Sequence, residues 1–155
     1  MPYTKSPRQA YEDDMQAAGS DDQYLAACVR IEPTRITDEF VRVPSDMAYW
    51  HEKYAVAYQQ WLLAKLQREQ TYATLYLQAQ TAIALTGKKG TIADIENAVL
   101  QDPEYTATRA QEGIAEVAKI RLHGVLDTLR TKKDMLVSLG AHMRAEMGDL
   151  SMRQL

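Results

Sequence analysis

The sequence predicts an all-α protein: a long helix, a short helix and a second long helix forming a coiled-coil-like hairpin, preceded by an N-terminal extended arm. Three observations predict it. Trp50, Trp61, Tyr72 and Ile83 stand eleven residues apart. Ile114, Val125, Leu136 and Met147 repeat that spacing in the second half. Between the two sets lie two strong breaks, Gly87-Lys88-Lys89-Gly90 and Asp102-Pro103. Eleven residues make about three turns, so each set falls on one side of a nearly straight helix.

Residues 1–22 are polar and acidic, with Pro2, Pro7 and a Gly19-Ser20 break, and read as a tail with one weak helical turn from Arg8 to Ala18. Residues 23–44 read as an arm. Tyr24 to Arg30 suits a short helix, and Ile36 to Val43, ending at Pro44, suits a short strand or extended segment. Ser45 is placed to cap the first long helix, with Asp46 at its positive end. Apolar steps of three and four then persist from Trp50 to Ile83, and Gly87 ends the helix. Thr91, followed three residues later by Asp94, opens a short helix that stops near Gln101. Asp102 as N-cap and Pro103 at the first helical position start the last helix, which is expected to run to Met147 and end at Gly148. Residues 45–148 therefore form one helical domain, and 149–155 a second tail. Helices of about forty residues exceed globular lengths and imply a seam along which something packs. Trp50, Trp61, Tyr72, Ile83, Val125 and Leu136 are the expected oligomer interface.

Composition narrows the function. No run of about 18 apolar residues exists, so no membrane helix is expected. The first twenty residues lack an apolar core and carry Glu12, Asp13 and Asp14, unlike a secretory leader. Cys28 is the sole cysteine, which excludes an internal disulfide and suits a cytoplasmic setting. The net charge of −3 excludes a chain that is basic throughout.

Catalytic patterns are missing. His51, His123 and His142 are scattered, and no Gly-x-Ser-x-Gly turn occurs. No enzyme activity, metal or cofactor is expected. Gly87-Lys88-Lys89-Gly90-Thr91 lacks the upstream glycine of a phosphate loop and follows a helix, so it reads as a helix terminator with two lysines at its tip. The cations of the last helix carry more information. On a wheel of about 100° per residue, Arg121 and Lys132 fall within the side formed by Ile114, Val117, Leu122, Val125, Leu129 and Leu136. Two readings stand. Their stems lie along the seam and their heads meet a carboxylate or water, or that side lines a channel where positive charge meets phosphate. Arg121, nearer the middle of the apolar side, suits the seam. Lys132, inside the Arg130-Thr131-Lys132-Lys133 cluster, suits the channel. Lys119, His123, Arg130 and Lys133 form a second strip, diluted by Glu116, Asp127 and Asp134.

The segment His123-Gly124-Val125-Leu126-Asp127-Thr128-Leu129-Arg130-Thr131-Lys132, followed by Asp134-Met135-Leu136-Val137 and later Met143-Arg144-Ala145-Glu146, resembles the C-terminal helix of phage recombination mediators of the UvsY type. The order of elements from about residue 35 to 148 is similar to that family's. The resemblance implies a small, non-enzymatic single-stranded-DNA-binding protein that forms a homo-oligomeric ring in the phage-infected host cytoplasm. It also implies partnership with a RecA-type recombinase and a single-strand-binding protein. That family carries basic residues near the end of its first long helix. Here residues 80–86 are uncharged and Lys88 and Lys89 follow. Lys88, Lys89, Lys119, Arg121, Arg130, Lys132 and Lys133 are therefore the expected nucleic-acid-binding set. A structural coiled-coil adaptor or assembly chaperone without nucleic acid, and a single-strand annealing protein, are the alternatives.

Overall fold

A computed structural model describes residues 21–87 and 90–152, and the backbone is helical almost throughout. Helix α1 spans Asp21–Val29 and a 3₁₀ turn spans Pro33–Arg35. Helix α2 spans Ile36–Leu85, α3 Ile92–Leu100 and α4 Pro103–Met152. The long–short–long order is as expected, and no strand occurs among the described residues. The expected turn at Arg8–Ala18 and the loop lysines Lys88 and Lys89 lie outside the described residues.

Two boundaries differ from the sequence reading. The stretch Ile36 to Val43 is the first two turns of α2, not a strand or arm, and Ser45 is inside the helix rather than its cap. Pro44 sits within α2, where a missing N–H and a steric clash cost about 3 kcal/mol. Burial offsets that cost. Ile36, Val43 and Leu136 form a buried cluster, with Ile31, Met47 and Leu139 packed around it. Asp38 and Glu39 also suit the positive end of the first turn. At the other end of the chain, α4 continues through Gly148 to Met152. Gly148 keeps a negative φ. A glycine stops a helix only by turning left-handed, and otherwise merely weakens it.

The remaining caps follow the sequence. Gly87 has φ 69° and its N–H donates to the Ala84 carbonyl, closing α2. Thr91 and Asp94 form a reciprocal capping box: the Thr91 hydroxyl accepts from the Asp94 N–H, and the Asp94 carboxylate accepts from the Thr91 N–H at 2.8 Å. Those bonds hold the Asp94 carboxyl below its usual range. Asp102 Oδ1 accepts from the Glu104 N–H at 2.8 Å and starts α4.

The chain divides into two compact units, whose boundaries fall inside both long helices. Unit one comprises residues up to Lys53 and from His123 onward, and unit two comprises Tyr54–Leu122. In unit one, Tyr24 and Cys28 of α1 are fully buried, together with Trp50, Leu126, Leu129 and Leu136. The Tyr24 ring stacks on Trp50 and meets Tyr49 edge-on. In unit two, Leu75, Val99 and Tyr105 form the core, flanked by Tyr72, Tyr76 and Ala79. The inward residues of unit two follow alternating steps of three and four: Ala57, Trp61, Ala64, Arg68, Thr71 and Leu75 on α2, and Tyr105, Thr108, Glu112, Ala115, Lys119 and Leu122 on α4. That is a seven-residue seam. It explains why Ile114 and Val117, placed on the apolar side by the helical wheel, are exposed instead.

Candidate functional site

The polar groups of unit one converge beneath α1. Lys132 is 3% exposed. Its ammonium donates to Glu39 Oε2 at 2.5 Å and to the Cys28 carbonyl at 2.6 Å. Asp46, also buried, accepts from the Tyr24 hydroxyl at 2.9 Å and faces Arg42 Nε at 3.4 Å. Asp46 Oδ2 accepts no hydrogen bond, so the Arg42 contact is an ion pair without an aligned N–H. Burial raises the Asp46 carboxyl, against the pull of Arg42, the Tyr24 bond and Lys132. Burial also raises the Tyr24 hydroxyl and lifts the Cys28 thiol to about 11, so both stay neutral in ordinary buffers and Cys28 is unreactive.

This geometry reverses the expectation for two cations. Lys132 is held by a carboxylate in the seam and offers nothing to a phosphate in this conformation, while Arg121 is exposed. The reason is register. Lys132 falls one step of three after the buried Leu129 and four before the buried Leu136, whereas Arg121 lies outside the inward row.

Unit two holds its own polar seam. Arg68 Nε lies 2.5 Å from Glu112 Oε2, both partly covered. The Lys119 ammonium stands 3.3 Å from the centre of the Trp61 ring, with Tyr58 at 6.0 Å, and Lys65 approaches Trp61 at 5.6 Å. Lys119 is thus in a cation–π contact rather than on a solvated strip. Of the other expected cations, Arg130 is exposed and paired with Asp127 at 2.7 Å, and Lys133 is exposed. Among the described members of the expected set, Lys132 is buried, Lys119 is on an aromatic face, and Arg121, Arg130 and Lys133 are at the surface.

The six expected interface residues all pack within their own chain. Trp50, Val125 and Leu136 are buried. Trp61 and Tyr72 face Lys119 and Tyr105 respectively. Ile83 is half-buried against Gly90, where an added Cβ would collide with it. Trp50, Val125 and Leu136 are thus covered within the chain, while Trp61, Tyr72 and Ile83 are half-buried.

The pairing of Glu39 and Glu112 with cations, and the burial of Asp46, are not legible in the sequence. A lysine on an apolar face signals that a partner exists, but Glu39 is 93 residues away from Lys132. Among the described residues, no group of three or more His, Cys, Asp or Glu side chains could hold a metal, and no helix is long and apolar enough to cross a membrane. A groove beside α4, lined by Ile31, Pro33, Met135, Leu139 and His142 among others, is open and largely aliphatic. No protein-family model, curated protein or solved structure matches this chain.

Proposed function

We propose that this protein is a non-enzymatic, homo-oligomeric mediator that binds single-stranded DNA and helps a RecA-type recombinase replace single-strand-binding protein, in the cytoplasm of a phage-infected bacterium. The observation that carries the reading is the segment His123–Lys132 with its continuation to Val137, which is similar to the C-terminal helix of UvsY-type mediators. Assembly is supported by a second feature: Leu63, Leu77, Ile114 and Val117 of unit two are all more than half exposed. Exposed aliphatics that join into one contiguous patch mark interaction surfaces. The cations proposed to meet phosphate are Lys88, Lys89, Arg121, Arg130 and Lys133. Each supplies a weak contact, and an assembly multiplies them through effective concentration.

A titration of labelled oligo(dT) against salt tests the reading. Binding is expected to be indifferent to sequence, stronger for single than for double strands, and to weaken steeply between low and physiological salt. Affinity that is flat with salt would remove the phosphate contacts. Recombinase filament formation on DNA coated with single-strand-binding protein separates a mediator from an annealing protein, which pairs complementary strands unaided.

A second reading is a structural coiled-coil adaptor without nucleic acid. It is favoured by the net charge of −3 and by the internal use of Lys132 and Arg68. It requires that oligo(dT) not bind at low salt.

A further inference from the structure

One flank of α2 in unit two is aromatic. Tyr54, Tyr58, Trp61, Lys65, Tyr72 and Tyr76 share a stripe about 60° wide on a wheel of about 100° per residue. The stripe shares only Trp61 with the inward row. Its rings meet in series, with centres 6.1 Å apart for Tyr54 and Tyr58 and 5.6 Å apart for Tyr58 and Trp61. None of these three is buried, whereas Ala57 between them is. The seam at this level is lined by Ala57 and Ala64, and the tyrosine rings stand at its edge. Tyr58 is 42% exposed.

Two ammonium groups are gathered on the same rings. Lys119 of α4 stands 3.3 Å from the Trp61 centre and 6.0 Å from that of Tyr58, and Lys65 stands 5.6 Å from Trp61. Arg68, Arg130 and Lys132 each meet a carboxylate. Lys65 and Lys119 form no ion pair among the described residues; their contacts are with rings. Of the nearby carboxylates, Glu112 is engaged by Arg68, Glu116 is exposed one turn before Lys119, and Glu96 faces Tyr72 further along the stripe. The Tyr54–Lys65 end is therefore the cationic one.

We infer that this end of the stripe is a site for unpaired nucleotides: a base stacks on the exposed Tyr58 ring, and the flanking phosphates are held by Lys119 and Lys65. Rings interleaved with cations match what a single strand offers, and stacking on an aromatic ring tolerates any base because every base has a π-face. An ammonium has three donors, so Lys119 can rest on Trp61 with one side and meet a phosphate with another. A duplex keeps its base faces stacked on one another, so the site selects single strands. The inference rests on the nucleic-acid reading above and adds a site to it. None of the five cations named there belongs to this cluster, and it lies in the middle of α2 rather than near the end of that helix.

The full chain titrated at low salt with oligo(dT), and with an abasic strand of equal length, tests this. The wild type is expected to bind the abasic strand at least about fivefold more weakly, the lower end of what one stacked base contributes. Tyr58→Leu keeps apolar bulk without a π-face. It is expected to lose oligo(dT) affinity by at least about fivefold with an unchanged salt slope, because the ring carries no charge, and to bind the abasic strand as the wild type does. Tyr58→Phe keeps the ring and is expected to bind both strands as the wild type does. Lys65→Met is expected to lower the salt slope by about 0.7, the share of one phosphate of a single strand. The site is overturned if the wild type binds the two strands equally, or if Tyr58→Leu binds oligo(dT) normally or weakens on both strands alike. A Tyr58→Leu chain that loses its helical signal in circular dichroism overturns it too, since the ring would then be a packing residue. A wild type that binds neither strand overturns the nucleic-acid reading and the site together. A wild type that binds oligo(dT) while Tyr58→Leu makes no difference overturns only the site.

Discussion

The Lys132 ammonium reaches the Glu39 carboxylate at 2.5 Å across 93 residues of sequence, inside the seam of unit one. The same nitrogen ties down the Cys28 carbonyl, so one side chain of α4 holds both α1 and α2. Removing one partner strands the other charge in the interior. Lys132→Met or Glu39→Leu is expected to cost about 3–5 kcal/mol, and the double replacement to recover much of that. Urea unfolding of the three variants measures it. Oligo(dT) affinity is expected to be unchanged in Lys132→Met as long as the fold persists; weaker binding together with a smaller salt slope would show that Lys132 contacts phosphate after all.

Asp46 makes a prediction about pH. Its carboxyl is raised above the unfolded value. The associated stability is therefore present in full below the unfolded pKa and is lost as pH rises through the folded pKa. The groups facing it do not blur this: Tyr24 and Cys28 are also raised and remain neutral, and Arg42 and Lys132 are cations. Asp46→Asn is expected to gain stability relative to the wild type as pH rises from acid to neutral. A difference that moves the other way would mean that Arg42 and Lys132 outweigh burial.

The Lys119–Trp61 contact is partly covered, and such pairs contribute about 0.5–2 kcal/mol. A double-mutant cycle on Lys119→Met and Trp61→Leu is expected to show coupling in that range. Zero coupling would leave Lys119 as a solvated residue. Trp61→Ala is expected to cost less than the roughly 3–5 kcal/mol of a fully buried tryptophan, because the ring is only half-buried.

The turn after α2 depends on two glycines for different reasons. Gly87 needs its left-handed φ of 69°, and Gly87→Ala is expected to cost about 1–2 kcal/mol through backbone strain. Gly90 has ordinary φ, but a Cβ there collides with the Ile83 side chain. Gly90→Ala combined with Ile83→Ala is therefore expected to cost less than the two single changes together, while Gly87→Ala adds independently. Thermal unfolding of these variants separates strain from collision.

Of the expected phosphate contacts, Arg121 and Lys133 are exposed on α4. Arg121→Met with Lys133→Met is expected to weaken oligo(dT) binding and to lower the salt slope by about 1.4, roughly 0.7 for each phosphate of a single strand no longer neutralised. Lys88→Ala with Lys89→Ala is expected to act in the same direction and leave the oligomer intact. Normal binding by that second variant would leave Gly87–Gly90 as a turn only.

The elements were legible in the residues alone. Helix class, the long–short–long order, the Thr91–Asp94 box, the Asp102-Pro103 start and the Gly87 stop all come from local chemistry, in which a residue and its neighbours within four positions settle the outcome. Packing settled what local chemistry cannot. Pro44 should have ended a helix, but the burial of Ile36 and Val43 against Leu136 carries α2 through it. Two periods can be read along the long helices, eleven and seven, and they share Trp61 but otherwise select different residues; only packing selected seven in unit two. The inward rows turn Lys132 in and leave Arg121, Ile114 and Val117 outside. A helix with apolar residues on two sides states that two surfaces must be covered. It does not state which one the chain covers itself, because that depends on a partner far away in sequence or on another copy.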